Sequence, residues 1–332
     1  MTQTGAKILW ATMAGALLWG MWILADATRP YPRGKAPVEV EIQRGTSISE
    51  IARQLQEAGV IRSTRTFLWL HYLRPGQTLK AGEYAFPGRV STLEVLRKLI
   101  RGDVAYELLT IPEGYNRFEI ADAVSAQGLA TREEFLEASA DASLLADLDP
   151  EAADLEGYLF PDSYHFSPRA GAAGIVQAMV DRFREVYSSL APTGEKRPVR
   201  EIVTMASLVE KEAKEPEERP LIAAVFYNRL ERRILLQCDP TVIYAAMLEG
   251  RYDGKIRQSH LDSPSPYNTY RRRGLPPGPI ANPGKVSLSA ALRPASSDYL
   301  YFVVNHNGGH TFSRTLREHN RAVSLYRRGR SR

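Results

Sequence analysis

A strand, a glycine turn, a helix and a closing glycine occur in that order twice, 69 positions apart, in the first 130 residues. This restricts the front of the chain to a small mixed α+β arrangement. In the first copy VEVEIQ alternates as a half-buried strand does, and RGTSISEIARQLQEAG follows as turn and helix. In the second, ELLTI leads into PEGYNRFEIADAVSAQG. Gly45, Glu50, Ile51, Ala52 and Gly59 fall in register with Gly114, Glu119, Ile120, Ala121 and Gly128. Glycines at these places suit a tight strand-to-helix turn and a helix C-terminal cap. The joint agreement of turn, apolar helix face and cap marks a structural repeat. Between the copies, FLWLHYL, AGEYAFPGRVS and TLEVLRKLIRG predict a helix, a short strand or hairpin, and another helix.

With 332 residues the chain exceeds one ordinary domain, so two or three compact units are expected. Its 44% hydrophobic and 24% charged residues suit a globular protein with a real core. A net charge of +5 favours anionic partners such as acidic polymers, phospholipid surfaces or nucleic acid, without choosing among them. The basic end RRGRSR, residues 327–332, reads as a solvated tail. The one cysteine, Cys238, rules out an intrachain disulfide, and in QCDPT it has no metal-ligand neighbours, so it reads as a small, partly buried side chain.

Near the N-terminus, Lys7 precedes the uncharged run ILWATMAGALLWGMWILA, Ile8 to Ala25, with Trp10, Trp19 and Trp22. Its length and composition predict an uncleaved transmembrane anchor over 8–25. A cleaved signal peptide is the rival, but its apolar region is usually shorter and no clean small-x-small site ends this run. One lysine before the span against Arg29, Arg33 and Lys35 after it would leave the bulk of the chain in the cytoplasm by the positive-inside rule. Residues 26–37, rich in proline and charge, read as an extended linker.

Beyond residue 130 the pattern turns mostly helical. LEGYLFPDSYHF interrupts acidic helical segments. Helices are expected around 175–188 and 200–214, through ERPLIAAVFYNRLERR, and after Asp239–Pro240, which looks like an N-cap and first-turn proline. Residues 262–285 are dense in proline, glycine, tyrosine and asparagine, and so long an irregular segment is usually functional. YLYFVV is a strand, and a closing helix is expected over about 314–327.

Most catalytic templates are missing. There is no G-x-S-x-G elbow, phosphate-binding loop or dinucleotide fingerprint. His306 and His310 lie in a glycine loop without an acidic ligand pattern, so no metal is expected. Ser207 and Lys211 read as a solvent-facing pair. Two acids remain, in MASLVEKEAK. On a helical wheel Ile202, Met205, Ala206, Val209 and Ala213 form the buried stripe, Lys211 points to solvent, and Glu210 and Glu212 fall on opposite flanks. That geometry disfavours a carboxylate pair. Glu210 has Lys214 at i+4, an ordinary surface pairing. Glu212 has no basic residue at i±3 or i±4 and stands near a helix C-terminus beside Glu215, where a carboxyl holds its proton more tightly. That is what a general acid needs near neutral pH, although acids lining a solvated helix end would look the same.

MASLVEKEA, AAVFYNRL, LLQCDPTVIYA, SPYNTYRRRGLPPGPIANPG, YLYFVVNHNGGHTFSRTLREHN and LEGYLFPDSY together resemble the endolytic murein transglycosylase family over about residues 38–325. Cys238 stands where QTDPT would be expected. The resemblance implies an α+β protein: a cytoplasmic N-terminus (1–7), the transmembrane helix (8–25), the linker (26–37), a LysM-like strand-turn-helix repeat region (38–130), and a mostly helical α+β catalytic domain (131–326). It implies a single-pass inner-membrane protein with its bulk extracytoplasmic, against the local charge count. A LysM-like repeat can bind N-acetyl sugars or serve only as scaffold.

The second glutamate of E-K-E, Glu212, is the implied catalytic acid. It would cleave the MurNAc-β-1,4-GlcNAc bond of nascent peptidoglycan without water, leave 1,6-anhydroMurNAc ends and end strand elongation. Implied substrate-binding candidates are Glu156, Gln237, Thr241, Tyr267, Asn268 and Tyr270, with rings stacking on sugars and amides reading N-acetyl groups. Arg271 to Arg273 could meet the stem-peptide carboxylates. No cofactor and no nucleic acid are implied; the partners are glycan strands, the membrane and the peptidoglycan synthases. Two other readings remain: a non-enzymatic wall-binding scaffold of the synthesis machinery, and a hydrolase leaving reducing muramic acid ends.

Overall fold

A computed structural model describes residues 3–32, 38–104 and 106–329. The chain divides into two compact units, Met1–Glu107 and Leu108–Arg332.

In the first unit, α1 (Gln3–Thr28) leads to the two-residue strand β1 (Tyr31–Pro32). The linker positions 33–37 lie outside the described residues. Strand β2 (Val38–Ile42) is followed by α2 (Ile48–Glu57), α3 (Thr64–Tyr72), β3 (Gly82–Phe86), β4 (Arg89–Val90) and α4 (Thr92–Arg101). Alternation explains β2: Val40 and Ile42 are buried while Glu39 and Glu41 face out, and the strand pairs antiparallel with β3 from Val38↔Phe86 to Ile42↔Gly82. Ser47 caps α2 by accepting the Glu50 N–H, and Ser91 with Glu94 forms a reciprocal capping box on α4. Leu55, Phe67, Tyr84, Phe86, Val95, Leu96 and Leu99 close a core of their own.

The expected transmembrane helix over 8–25, and with it the single-pass inner-membrane location and the membrane as a partner, needs correction. Among the described residues, no helix is long and apolar enough to cross a membrane. The physical reason lies in what α1 contains and what it touches. Three tryptophans, two glycines and a threonine interrupt the aliphatic run. The helix also packs against α3 and α4. The Trp19 ring meets Trp69 edge-on at 5.0 Å. At the C-terminal end Ala27 is fully buried, and the buried Asp26 carboxylate accepts the Thr66 hydroxyl at 2.6 Å, with Arg62 3.5 Å away. A buried, hydrogen-bonded carboxylate is a protein–protein contact.

In the second unit, β5 (Glu107–Thr110) pairs with β6 (Ser163–Phe166), and α5 (Arg117–Ala126) and α6 (Arg132–Ala140) lie between them in sequence. Then come α7 (Gly171–Leu190), α8 (Val199–Glu212), α9 (Arg219–Glu231), α10 (Asp239–Leu248), the one-turn α11 (Gln258–Leu261), α12 (Lys285–Leu292), the antiparallel hairpin β7 (Tyr301–Val304) and β8 (His310–Ser313), and α13 (Leu316–Gly329). The repeat is visible in the backbone. Gly45 and Gly114 have φ of 84° and 79°, and Gly59 and Gly128 have 70° and 71°, left-handed values that a side chain would strain. The two helices are alike, but β2 pairs with β3 and β5 with β6.

Helix α8 is the centre of this unit, packed by α9, α10 and α12. Ile202, Val203, Met205, Ala206, Leu208 and Val209 are all fully buried, and each larger one stabilises the fold by about 2 kcal/mol. Burial all round overturns the solvent-facing reading of Ser207: its hydroxyl donates to the Thr204 carbonyl at 2.7 Å and accepts the Ile280 N–H at 3.1 Å. The segment with LEGY is pressed against the proline-rich loop. A side chain at Gly157 (φ 87°) would come within 2.5 Å of Pro279.

Candidate active site

The backbone of α8 stops at Glu212, because Ala213 adopts an extended conformation and its N–H closes the last turn on Val209. The acid therefore stands at the mouth of the helix, beside a cavity of about 330 Å³. Phe226 and Arg229 of α9, Leu236 and Gln237 of the following segment, Asp239 of α10, Tyr270 of the long loop, Phe302 of β7 and His319 of α13 complete the wall. Five separate stretches of chain converge there on one carboxyl group.

Glu212 Oε1 accepts a hydrogen bond from the Cys238 thiol at 3.2 Å. Burial raises its proton affinity above that of an ordinary glutamate. The nearby Asp239 charge reinforces the rise, while the thiol hydrogen bond and the His310 and Arg229 charges oppose it. Arg229 is held by three carbonyls, Leu300 at 2.6 Å, Leu236 at 2.8 Å and Leu235 at 3.3 Å, and its guanidinium lies over the Tyr301 ring. His319 stacks on that same ring at 5.3 Å, and burial, with the Arg229 charge, lowers its proton affinity. His310, in β8, is clasped by Glu218 through both its N–H and its ring Nδ1.

The opposite wall is bolted to the long loop. Cys238 N–H donates to the Thr269 hydroxyl at 3.0 Å, Thr241 and Thr269 hydroxyls pair at 2.9 Å, and Thr241 also donates to the Cys238 carbonyl. Gln237 has a φ of 51°, a left-handed conformation costing roughly 1 kcal/mol or more in a non-glycine residue. Its N–H is tied to the Thr269 carbonyl at 3.2 Å, so the surroundings hold the strained turn in place.

Of the candidates from sequence, Glu212, Gln237 and Tyr270 line the cavity. The other four sit elsewhere in the unit. Glu156 is buried in a network of its own, accepting the Arg117 N–H, the Tyr244 hydroxyl at 3.0 Å and the Asn282 amide at 2.9 Å. Burial pushes its carboxyl up to about 8. Asn268 is fully buried and ties its loop through the carbonyls of Leu261 and Ser263. Thr241 is the buried bolt described above. Tyr267 packs its ring on Tyr244 at 5.2 Å.

Glu210 has a different environment from the one the spacing suggested. The helix ends before Lys214, so no i+4 pair forms. The carboxylate is instead buried against Arg219 at 2.9 Å and accepts the Gly284 N–H at 3.0 Å. Lys211 donates to the Gly114 carbonyl at 3.0 Å. Asp239, expected as an N-cap, is the first residue of α10; Cys238 holds the cap position. Asp239, Arg229 and His319 lie within the quoted motifs, but nothing there marked them as neighbours of Glu212, because each reaches the cavity from a different element. Among the described residues no cluster of three or more His, Cys, Asp or Glu could hold a metal ion.

The profile of the YceG-like family matches residues 40–325, most of the length. The chain belongs to the YceG-like family. The match includes every residue lining the cavity and, in the first unit, residues 40–107. Among its relatives is the endolytic murein transglycosylase of Bacillus subtilis, 35% identical over 333 residues, which span 95% of this chain and 91% of the relative. The endolytic murein transglycosylase of Streptococcus pneumoniae strain R6 is 30% identical; the chain spans 63% of that longer protein. The crystal structure of a YceG-like protein from Listeria monocytogenes aligns with a TM-score of 0.57 and 36% identity, covering 87% of this chain and 99% of that one.

Proposed function

We propose that this YceG-like protein is a lytic transglycosylase that cuts peptidoglycan strands internally, at the MurNAc-β-1,4-GlcNAc bond, with Glu212 as its acid–base group. The observation that carries the reading is a half-buried carboxyl of raised proton affinity opening onto a polar cavity. The relatives named endolytic murein transglycosylase support the same substrate class.

The chemistry needs one protein carboxyl. Protonated Glu212 gives its proton to the glycosidic oxygen as the bond from C1 of muramic acid to that oxygen breaks. The resulting carboxylate accepts the proton of the muramic acid 6-hydroxyl as that oxygen bonds to C1. Glu212 ends protonated, no water is consumed, and the products are a GlcNAc 4-hydroxyl end and a 1,6-anhydroMurNAc end. Because the nucleophile belongs to the substrate, the second carboxylate that a hydrolase uses as nucleophile or base is unnecessary. Gln237 and Tyr270 line the cavity where sugar hydroxyls and N-acetyl groups would lie. We place the LysM-like repeat of residues 38–130 as a scaffold and the peptidoglycan synthases as neighbours, since internal cutting would end strand elongation.

The test is digestion of purified glycan strands by the whole chain. Anhydromuramyl ends by mass spectrometry, lost in Glu212→Gln, are expected. Reducing muramic acid ends would make the protein a hydrolase, and undiminished cleavage by Glu212→Gln would sink the assignment.

A further inference from the structure

The transglycosylase reading leaves one charged group in the cavity unexplained. Asp239 lines the same cavity as Glu212, at the start of α10. A first-turn aspartate ordinarily satisfies the free N–H groups of its own helix. This one does not. No side-chain capping bond forms at the start of α10, and among the described residues the Asp239 side chain accepts a hydrogen bond from the Tyr270 hydroxyl alone. It remains exposed, and no donor among the described residues meets its second carboxylate oxygen. A helix start also favours negative charge.

We propose that Asp239, oriented by Tyr270, is the electrostatic partner of Glu212: its charge keeps the proton on the catalytic acid before cleavage and faces the positive charge that develops at C1 during it. The inference rests on the transglycosylase reading for its second half only. Both halves follow from placement. A second carboxylate on the same small cavity disfavours the charged form of Glu212. Burial and the adjacent Asp239 carboxylate push the Tyr270 hydroxyl well up, so it remains a donor. The charged and titratable groups facing Glu212 are Asp239 and Cys238 from the α10 wall, Arg229 from α9, His310 from β8, and His319 from α13. Asp239 has the largest effect of the charges, ahead of His310 and Arg229. A carboxylate facing C1 stabilises an oxocarbenium-like state by charge alone, with no bond to the sugar.

The experiment is a pH profile of glycan cleavage by the whole chain, for wild type, Asp239→Asn and Tyr270→Phe. Activity falls as pH rises through the Glu212 titration, because the acid must carry a proton. Removing the Asp239 charge lowers the Glu212 proton affinity. Asp239→Asn is therefore expected to move the alkaline limb down by about half a pH unit or more and to reduce kcat at least tenfold, with KM within about twofold. Tyr270→Phe keeps the charge and is expected to leave the limb in place with a smaller loss of kcat. An Asp239→Asn profile of unchanged shape, or a loss of kcat with the limb unmoved, overturns the proposal. If Asp239→Asn does not fold, Asp239→Ser suits a helix start and repeats the measurement.

A readout free of activity separates this proposal from the functional reading. The Tm difference between Glu212→Gln and its parent is followed against pH, once in the wild-type and once in the Asp239→Asn background. Its midpoint is expected to lie lower without Asp239; equal midpoints sink the coupling whether or not the protein cuts glycan. Should wild type release no anhydromuramyl ends while the midpoints differ, the reaction assignment fails and the electrostatic pairing stands.

Discussion

Glu156 and Glu212 are two glutamates of one unit, both with proton affinity raised by burial, yet their surroundings could hardly differ more. Glu156 is enclosed by donors from three directions: a backbone N–H at the start of α5, the Tyr244 hydroxyl on α10 and the Asn282 amide before α12. Its carboxyl is consumed in joining segments that are far apart in sequence. Glu212 accepts from one weak donor, a thiol, and otherwise looks onto a cavity. A raised proton affinity is common to a structural and a chemical carboxyl; what separates them is whether hydrogen-bonding capacity is left over for a ligand.

Replacing Glu212 by Gln should give the largest change: cleavage falls about a thousandfold or more, the usual range for a lost general acid, while circular dichroism stays native. A Glu156→Gln protein that loses as much activity with an unchanged Tm would break the contrast. Next in size is the ion pair beside the site. Arg219→Met leaves the buried Glu210 carboxylate without its cation and is expected to cost about 3 kcal/mol in urea unfolding. Glu156→Ala strands the Tyr244 hydroxyl, the Asn282 amide and the Arg117 N–H, and a cost of about 2 kcal/mol is expected from the same measurement.

The smallest effects are in the pH dependence. Folding raises the Glu156 proton affinity to about 8, so its favourable contribution is complete below the ordinary carboxylate range and disappears as pH rises through about 8. Glu156→Gln should flatten the decline of Tm between about pH 5 and 8. The same sign holds for Glu212, whose folded-state proton affinity is also raised. Glu212→Gln should therefore raise Tm by roughly 2 °C where the wild-type acid ionises, and the gain should vanish at low pH. A gain that grows as pH falls would mean that Glu212 is stabilised as a carboxylate.

Local pattern was legible wherever a single element decides the outcome. The alternation in VEVEIQ and the paired glycines each act within a few residues, and the structure has them as read. The wheel drawn on α8 found its buried stripe at Ile202, Met205, Ala206 and Val209 and the exposed Lys211, but left Ser207 in solvent. It treats a helix as having one wet face, whereas α8 is packed from several sides. For the same reason, Glu210 was paired with Lys214 by spacing alone, when the helix stops two residues short of it and Arg219 takes the place. The apolar run at the N-terminus shows the opposite failure: composition suggested a span, and the end of that helix is occupied by contacts with Thr66, Arg62 and Trp69 that no window of hydropathy contains.

By itself the sequence determined the repeat, most helices of the second unit but not α11 or α12, the identity of Glu212 as the acid worth testing and, through its motifs, the YceG-like family. The tertiary structure alone decided which groups stand around that acid. Asp239, Arg229 and His319 are 27, 17 and 107 positions from Glu212, and nothing in local propensity ties them to it. Charge acts through space and burial is a property of the assembled unit, so the proton affinity of Glu212 exists only once α8, α9, α10, β7 and α13 have closed around it.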